Sequence, residues 1–129
     1  MREIKFEYIY KLSLPDMEDD FIKKVYTLKE IEESYPEDLD IEHYAIIAKR
    51  QYTGLKDKNG VDIYEGDILL KQGIGKFKEI NEKSIIKILN GNTYSYYDPS
   101  DKELISNIIY SIEVIGNIYE NQELLKGNI

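Results

Sequence analysis

The chain has no cysteine, no tryptophan, one histidine and three prolines in 129 residues. Without cysteine there is no disulfide framework, no thiolate zinc cluster, no redox motif and no thiol nucleophile. With His43 as the single imidazole, a histidine metal cluster or a serine–histidine relay lacks its parts, and no matching nucleophile stands near it in sequence. His43 lies beside Glu42 where a loop meets a strand and reads as a structural side chain. No apolar run approaches the ~18 residues of a membrane span, and Met1-Arg2-Glu3-Ile4-Lys5 is not expected to begin a secretory signal. P-loop, dinucleotide-binding and nucleophile-elbow motifs are missing as well. Gly73-Ile74-Gly75 has neither the spacing nor the lysine that phosphate binding uses.

What is present describes a soluble globular protein of one domain, 42% hydrophobic and 33% charged. The 25 acids exceed the 17 bases by eight. The excess is local. Residues 16–42 hold Asp16, Glu18, Asp19, Asp20, Glu30, Glu32, Glu33, Glu37, Asp38, Asp40 and Glu42 against Lys23, Lys24 and Lys29, which accounts for all of it. Elsewhere the charges balance, and no cluster of Lys and Arg is dense enough to follow a phosphate backbone. The acidic stretch reads first as a solvated helix face with loops. Its sharper reading is a patch that meets a basic partner or imitates nucleic acid.

Residues 2–12 alternate Ile4, Phe6, Tyr8 and Tyr10 with Glu3, Lys5 and Glu7, the period-two pattern of a strand. A loop at Ser13–Asp20 then leads to a second strand at Phe21–Tyr26 that pairs back on the first. Thr27-Leu28-Lys29-Glu30 is a capping box, so a helix is expected from Leu28, with Leu28 and Ile31 facing inward and an end at Pro36. His43–Tyr52 reads as a strand, Thr53–Gly60 as a turn ending on Asn59-Gly60, and Ile63–Leu70 as a strand entered through a Gly66-Asp67 bend. At that bend Gly66 is expected to supply a positive φ, and Asp67 to hold neighbouring backbone N–H groups. Beyond Gly75, short strands are expected at Lys76–Ile80, Ser84–Leu89 and Thr93–Tyr97, with turns at Asn81–Lys83 and Asn90-Gly91-Asn92. A short helix is expected within Asp101–Ile109, a last strand at Ser111–Glu120 with a bulge at Gly116-Asn117, and a helical turn up to Leu125. The pattern predicts an α+β fold, mainly antiparallel β. An N-terminal β-hairpin and short helix (1–42) would precede an SH3-like or rolled barrel (43–129) within a single domain, 1–129.

Three clusters suggest chemistry. Asp57-Lys58-Asn59-Gly60-Val61-Asp62, with Glu65 beyond, faintly resembles a calcium loop, but glycine and the closing glutamate are misplaced and a hairpin turn explains the same residues. Glu65 and Asp67 could act as paired carboxylates on one strand face, yet Gly66 breaks the strand between them. Tyr94, Tyr96 and Tyr97 suit stacking on single-stranded nucleic acid. Only Lys87 and Lys102 lie near in sequence, so a core or protein-interface role is preferred.

The run Gln51-Tyr52-Thr53-Gly54-Leu55-Lys56-Asp57-Lys58-Asn59-Gly60, continued by Ile63-Tyr64-Glu65-Gly66-Asp67-Ile68, resembles the YopX family of phage and prophage proteins. A second matching run is Glu113-Val114-Ile115-Gly116-Asn117-Ile118-Tyr119-Glu120-Asn121. After the first strand the chain departs from a common version of that family, since it continues as Glu7-Tyr8-Ile9-Tyr10 and lacks the Arg/Trp/Asp cluster. The resemblance implies a phage or prophage origin, an α+β fold with a barrel-like part, a bacterial cytoplasmic location and a homo-oligomer. It brings no activity. The expectation is a non-enzymatic accessory protein acting by protein–protein contact, through self-association of its barrel edges, without cofactor, metal, membrane or nucleic-acid partner. The alternative is a modulator of nucleic-acid transactions, as an acidic DNA mimic or a weak single-strand binder.

Overall fold

The computed structural model describes residues 3–33, 44–79, 81–89, 92–96, 103–104 and 110–125, in two compact units, Met1–Tyr52 and Thr53–Ile129.

In the first unit, β1 (Lys5–Leu12) lies between β2 (Asp20–Thr27) and β3 (Tyr44–Lys56), antiparallel to both. Register runs from Lys5↔Thr27 to Leu12↔Asp20 on one side and from Phe6↔Gln51 to Leu12↔Tyr44 on the other, with a bulge opposite Ile9/Tyr10. The expected alternation holds: Tyr8, Tyr10 and Tyr26 form one buried cluster with Phe6, Ile22, Ile31 and Tyr44 against it. Tyr8 and Tyr26 meet edge to face, centroids 5.3 Å apart. The opposite face is not a wet one, because Ile9 and Ala48 are buried there and the Arg50 guanidinium donates to Glu7 Oε1.

Helix α1 (Leu28–Glu33) begins at the capping box. The Glu30 carboxylate accepts the Thr27 N–H at 3.0 Å, and Thr27 Oγ1 accepts the Glu30 N–H at 3.2 Å. Ile31 packs inward as expected, but Leu28 is exposed. Of the two apolar residues in this six-residue helix, Ile31 packs on the cluster and Leu28, its first residue, stays exposed. The expected helix end at Pro36, with Glu37–Asp40, and His43 lie outside the described residues.

The second unit contains the last residues of β3, its partner β4 (Asp62–Tyr64), and the strands β5 (Asp67–Gly73), β6 (Asn81–Leu89), β7 (Asn92–Tyr96), β8 (Glu103–Leu104) and β9 (Tyr110–Asn117). The five strands β5–β9 make one antiparallel sheet in the order β8-β7-β6-β5-β9. Its core is Ile63, Leu69, Ile86 and Ile112, with Val114 against them. β9 returns beside β5, not beside β8, so neither sheet closes among the described residues, and these form no SH3-like barrel of the kind expected from strand spacing.

Local readings changed where pairing overruled composition. Thr53–Lys56, expected in a turn, completes β3 because it pairs with β4; the turn proper is Asp57–Val61. Asn81–Lys83, also expected in a turn, opens β6 opposite Gln72, Lys71 and Leu70. Gly75–Phe77 is a 3-10 turn where a strand was expected, and Glu103–Leu104 is a strand within the region read as a helix. The bulge of β9 falls at Ile115, since Ile68 pairs with Gly116 and Leu69 with Val114. Ile118–Glu120 turns away from the sheet instead of extending it. The terminal turn, Gln122–Leu125, is 3-10. The loop at Asp98-Pro99-Ser100 and the hairpin tip Asn90-Gly91 lie outside the described residues; Leu89↔Asn92 pairs across that tip.

Candidate functional site

The two sequence motifs meet. Asp67 pairs with Asn117 and Ile68 with Gly116 at the β5–β9 ladder, and the Ile118 N–H donates to Gly66 O at 2.9 Å. A β-carbon on Gly66 would stand 2.9 Å from Tyr119 Cε2, so residues from both runs pack directly. Gly66 has φ +87°, as the strand-entry bend required. A β-carbon on Gly116 would stand 2.7 Å from Asn121 Oδ1.

Around this joint the polar side chains bind backbone. Thr53 Oγ1 donates to Ile63 O at 2.7 Å and accepts the Leu55 N–H at 3.1 Å, fastening the β3–β4 hairpin. Asp67, also buried, accepts the Tyr64 N–H at 2.8 Å, as its position beside Gly66 predicts. Buried Asn117 accepts the N–H groups of Tyr119 and Glu120 at 2.9 Å each and donates to Glu120 Oε2 at 2.6 Å. Asn121 Oδ1 in turn accepts the Asn117 N–H at 3.1 Å.

Asp57 is the most heavily used. One carboxylate oxygen accepts the N–H groups of Asn59 and Val61 at 2.8 and 2.9 Å; the other accepts the Val114 N–H at 2.9 Å, 57 positions away. Burial raises the carboxyl's pKa, but the three N–H donors and the nearby Lys58 charge outweigh it and hold the group below its ordinary value.

The remaining motif residues have simpler places. Gln51 is half-buried in β3 opposite Phe6, and buried Tyr52 carries the Lys5 ammonium 4.6 Å from its ring centroid. Gly54, Leu55, Asn59 and Gly60 are exposed, Ile63 and Tyr64 are buried, and Glu65, Tyr119 and Glu120 are half-buried.

Glu65 lies in a turn and Asp67 opens β5, so the two carboxylates do not stand as a pair on one strand. In the supposed calcium loop the Asp57 carboxylate is filled by N–H donors and Asp62 pairs with Lys56. Among the described residues no three His, Asp or Glu side chains converge as metal ligands. Of the tyrosine group, Tyr94 is half-buried on β7; the Tyr96 side chain and all of Tyr97 lie outside the description.

The described acids of the stretch are all exposed, yet several of them are engaged. Asp19 accepts from Ser13 and pairs with Lys11, and those bonds hold its carboxyl below the ordinary range. Asp20 accepts the Tyr44 hydroxyl at 2.9 Å, a bond that pushes the phenol's pKa up.

Sequence reasoning missed a buried polar cluster on one face of the second sheet. Lys71, 2% exposed on β5, donates to Ser95 Oγ on β7 at 3.0 Å, with Glu82 Oε1 at 3.9 Å. Buried Ser84 stands between them on β6. The signal available beforehand was the run Ile68-Leu69-Leu70-Lys71, where a lysine continues an apolar strand.

These observations define an α+β protein of two antiparallel sheets in which the motif residues shape turns and join strands. The chain belongs to the YopX family, whose model, described as YopX protein, matches residues 4–126. It is also similar to a solved structure, the crystal structure of protein EF1440 from Enterococcus faecalis, at 33% identity and TM-score 0.46. That alignment covers 92% of this chain and 75% of the other. No curated protein matches. No helix among the described residues is long and apolar enough to cross a membrane.

Proposed function

We propose that the protein is a non-enzymatic phage or prophage accessory protein that works in the bacterial cytoplasm by binding another protein. The observation that carries this reading is the employment of the motif's buried polar groups: Thr53, Asp57, Asp67 and Asn117 bind backbone of their own unit. Groups so engaged are poorly placed to bind or turn over a substrate.

The contact surface is assigned to the first unit. Of the ten exposed large apolar side chains among the described residues, seven belong to it, including Met17 at 67%, Val25, Ile46 and Ile47. It also carries the exposed acids Asp16, Glu18, Asp19 and Asp20. Exposed apolar and acidic residues on one unit suit a partner that brings apolar and basic groups. Homo-oligomerisation belongs to the same reading, and light scattering of the full chain tests it.

Affinity capture from a bacterial host lysate, followed by mass spectrometry, should return one saturable partner for the full chain. The folded double variant Val25→Lys/Ile47→Lys should lose it. Equal capture by both, or no partner with a strictly monomeric chain, overturns the proposal. The exposed acids also support the second reading, a DNA mimic, under which the intact chain displaces DNA from a basic DNA-binding protein at low salt.

A further inference from the structure

In the loop that joins β1 to β2, four neighbouring acids divide into two pairs. Two fasten the base. Leu12 pairs with Asp20 across the end of the hairpin, and the Asp20 carboxylate accepts the Tyr44 hydroxyl at 2.9 Å. Asp19 accepts from Ser13 Oγ at 3.0 Å and pairs with Lys11 at 3.2 Å. The other two, Asp16 and Glu18, are exposed and make no hydrogen bond or ion pair among the described residues. They flank Met17 at the tip. There the Met17 N–H donates to Leu14 O at 3.4 Å, closing the turn Leu14-Pro15-Asp16-Met17. Proline at the second position and φ +62° at the third, on Asp16, are what a type II turn asks for. Aspartate enters that left-handed region more readily than most residues.

The tip turns apolar side chains to water. Leu14 is 40% exposed and Met17 67%, the highest value of any large apolar residue among the described residues. A turn brings its first and fourth residues within about 7 Å, so these two share one small area of surface.

We propose that this tip is the part of the first unit that enters an apolar depression rimmed by Lys or Arg on a partner protein, with Met17 and Leu14 as anchors and Asp16 and Glu18 meeting the rim. The inference rests on the first unit being the contact surface and names its anchor. A turn already shaped in the free chain gives up little freedom on docking. Unbranched methionine adapts to an irregular pocket. Acids with no partner in their own chain are available to basic groups and steer the approach, whereas an acidic rim on the partner would repel them.

The test places a photo-crosslinker in the full chain as Met17→benzoylphenylalanine, irradiated in bacterial host lysate. The expected result is an adduct with one host protein whose crosslinked peptide holds Lys or Arg beside apolar residues. Adding Asp16→Asn/Glu18→Gln should lower its yield about fivefold, the worth of two exposed charge contacts. Asparagine keeps the tolerance for positive φ, so the turn survives that change. The same crosslinker as Leu28→benzoylphenylalanine, on a residue equally of the first unit but in α1, should not give the adduct. No adduct from position 17, an adduct with a second copy of the chain, a yield indifferent to the two acids, or an equal yield from position 28 overturns the proposal. If the unaltered chain still captures one saturable host protein in any of those cases, the inference falls and the reading beneath it stands; loss of capture as well removes both.

Discussion

Gly66 and Tyr119 lie so close that the glycine has no room for a side chain: a β-carbon would stand 2.9 Å from the tyrosine ring, at a φ of +87°. This contact brings the two family runs together, and it separates two reasons for glycine that usually coincide.

Gly66→Ala should lose stability through backbone strain and overlap with the ring, about 2–4 kcal/mol in total. Gly60→Ala, at φ +81° with nothing within 4 Å, should lose only the strain, about 1 kcal/mol. Urea denaturation of the two variants checks the difference. Equal losses would show that Tyr119 yields freely.

Asp57 makes part of the stability acid-sensitive. Its folded pKa lies below the unfolded value, so its contribution is complete above about 3.9 and is lost as pH falls through the lower folded value. Asp57→Asn should be less stable than the unaltered chain near neutrality, by about 1–3 kcal/mol. Its denaturation midpoint should also fall less steeply in acid. Parallel pH profiles for the two proteins would contradict this.

The helix of the first unit rests on a reciprocal pair. Thr27→Ala and Glu30→Ala should each cost about 1 kcal/mol, and the double variant less than their sum, because each side chain caps the backbone of the other. Thermal unfolding followed by circular dichroism gives the cycle; strict additivity would mean that the two bonds are independent.

Beneath the first sheet, Arg50 is 4% exposed and Glu7 13%. Glu7→Ala should cost about 3–5 kcal/mol, because it removes the carboxylate from a buried guanidinium. The paired change Glu7→Leu/Arg50→Met should cost clearly less. A double variant weaker than the single one would show that the pair contributes more than packing can replace.

Much of this architecture was readable from local pattern. The β1–β2 hairpin follows from alternation at Phe6, Tyr8 and Tyr10, α1 from Thr27 and Glu30, and the entry to β5 from Gly66 and Asp67, because each is decided by neighbours in sequence. What stayed hidden was decided at a distance. Asn81–Lys83 looks like a turn until Leu70–Gln72 supplies its ladder, and Lys71 looks like a surface lysine until Ser95 lies across the sheet from it. For the motif, the sequence indicated which residues belong together. That Asp57 reaches Val114 follows only from the return of β9 beside β5, where strand spacing suggested an SH3-like or rolled barrel and the described residues form an open sheet.

The order of these residues in the chain has a consequence during synthesis. Asp57 leaves the ribosome 57 residues ahead of Val114, and the hairpin that carries it is fastened by the Thr53 Oγ1 bond to Ile63 O. The N-terminal part of a chain folds first during translation. The acceptor for the Val114 N–H is therefore made well before the strand that will donate to it.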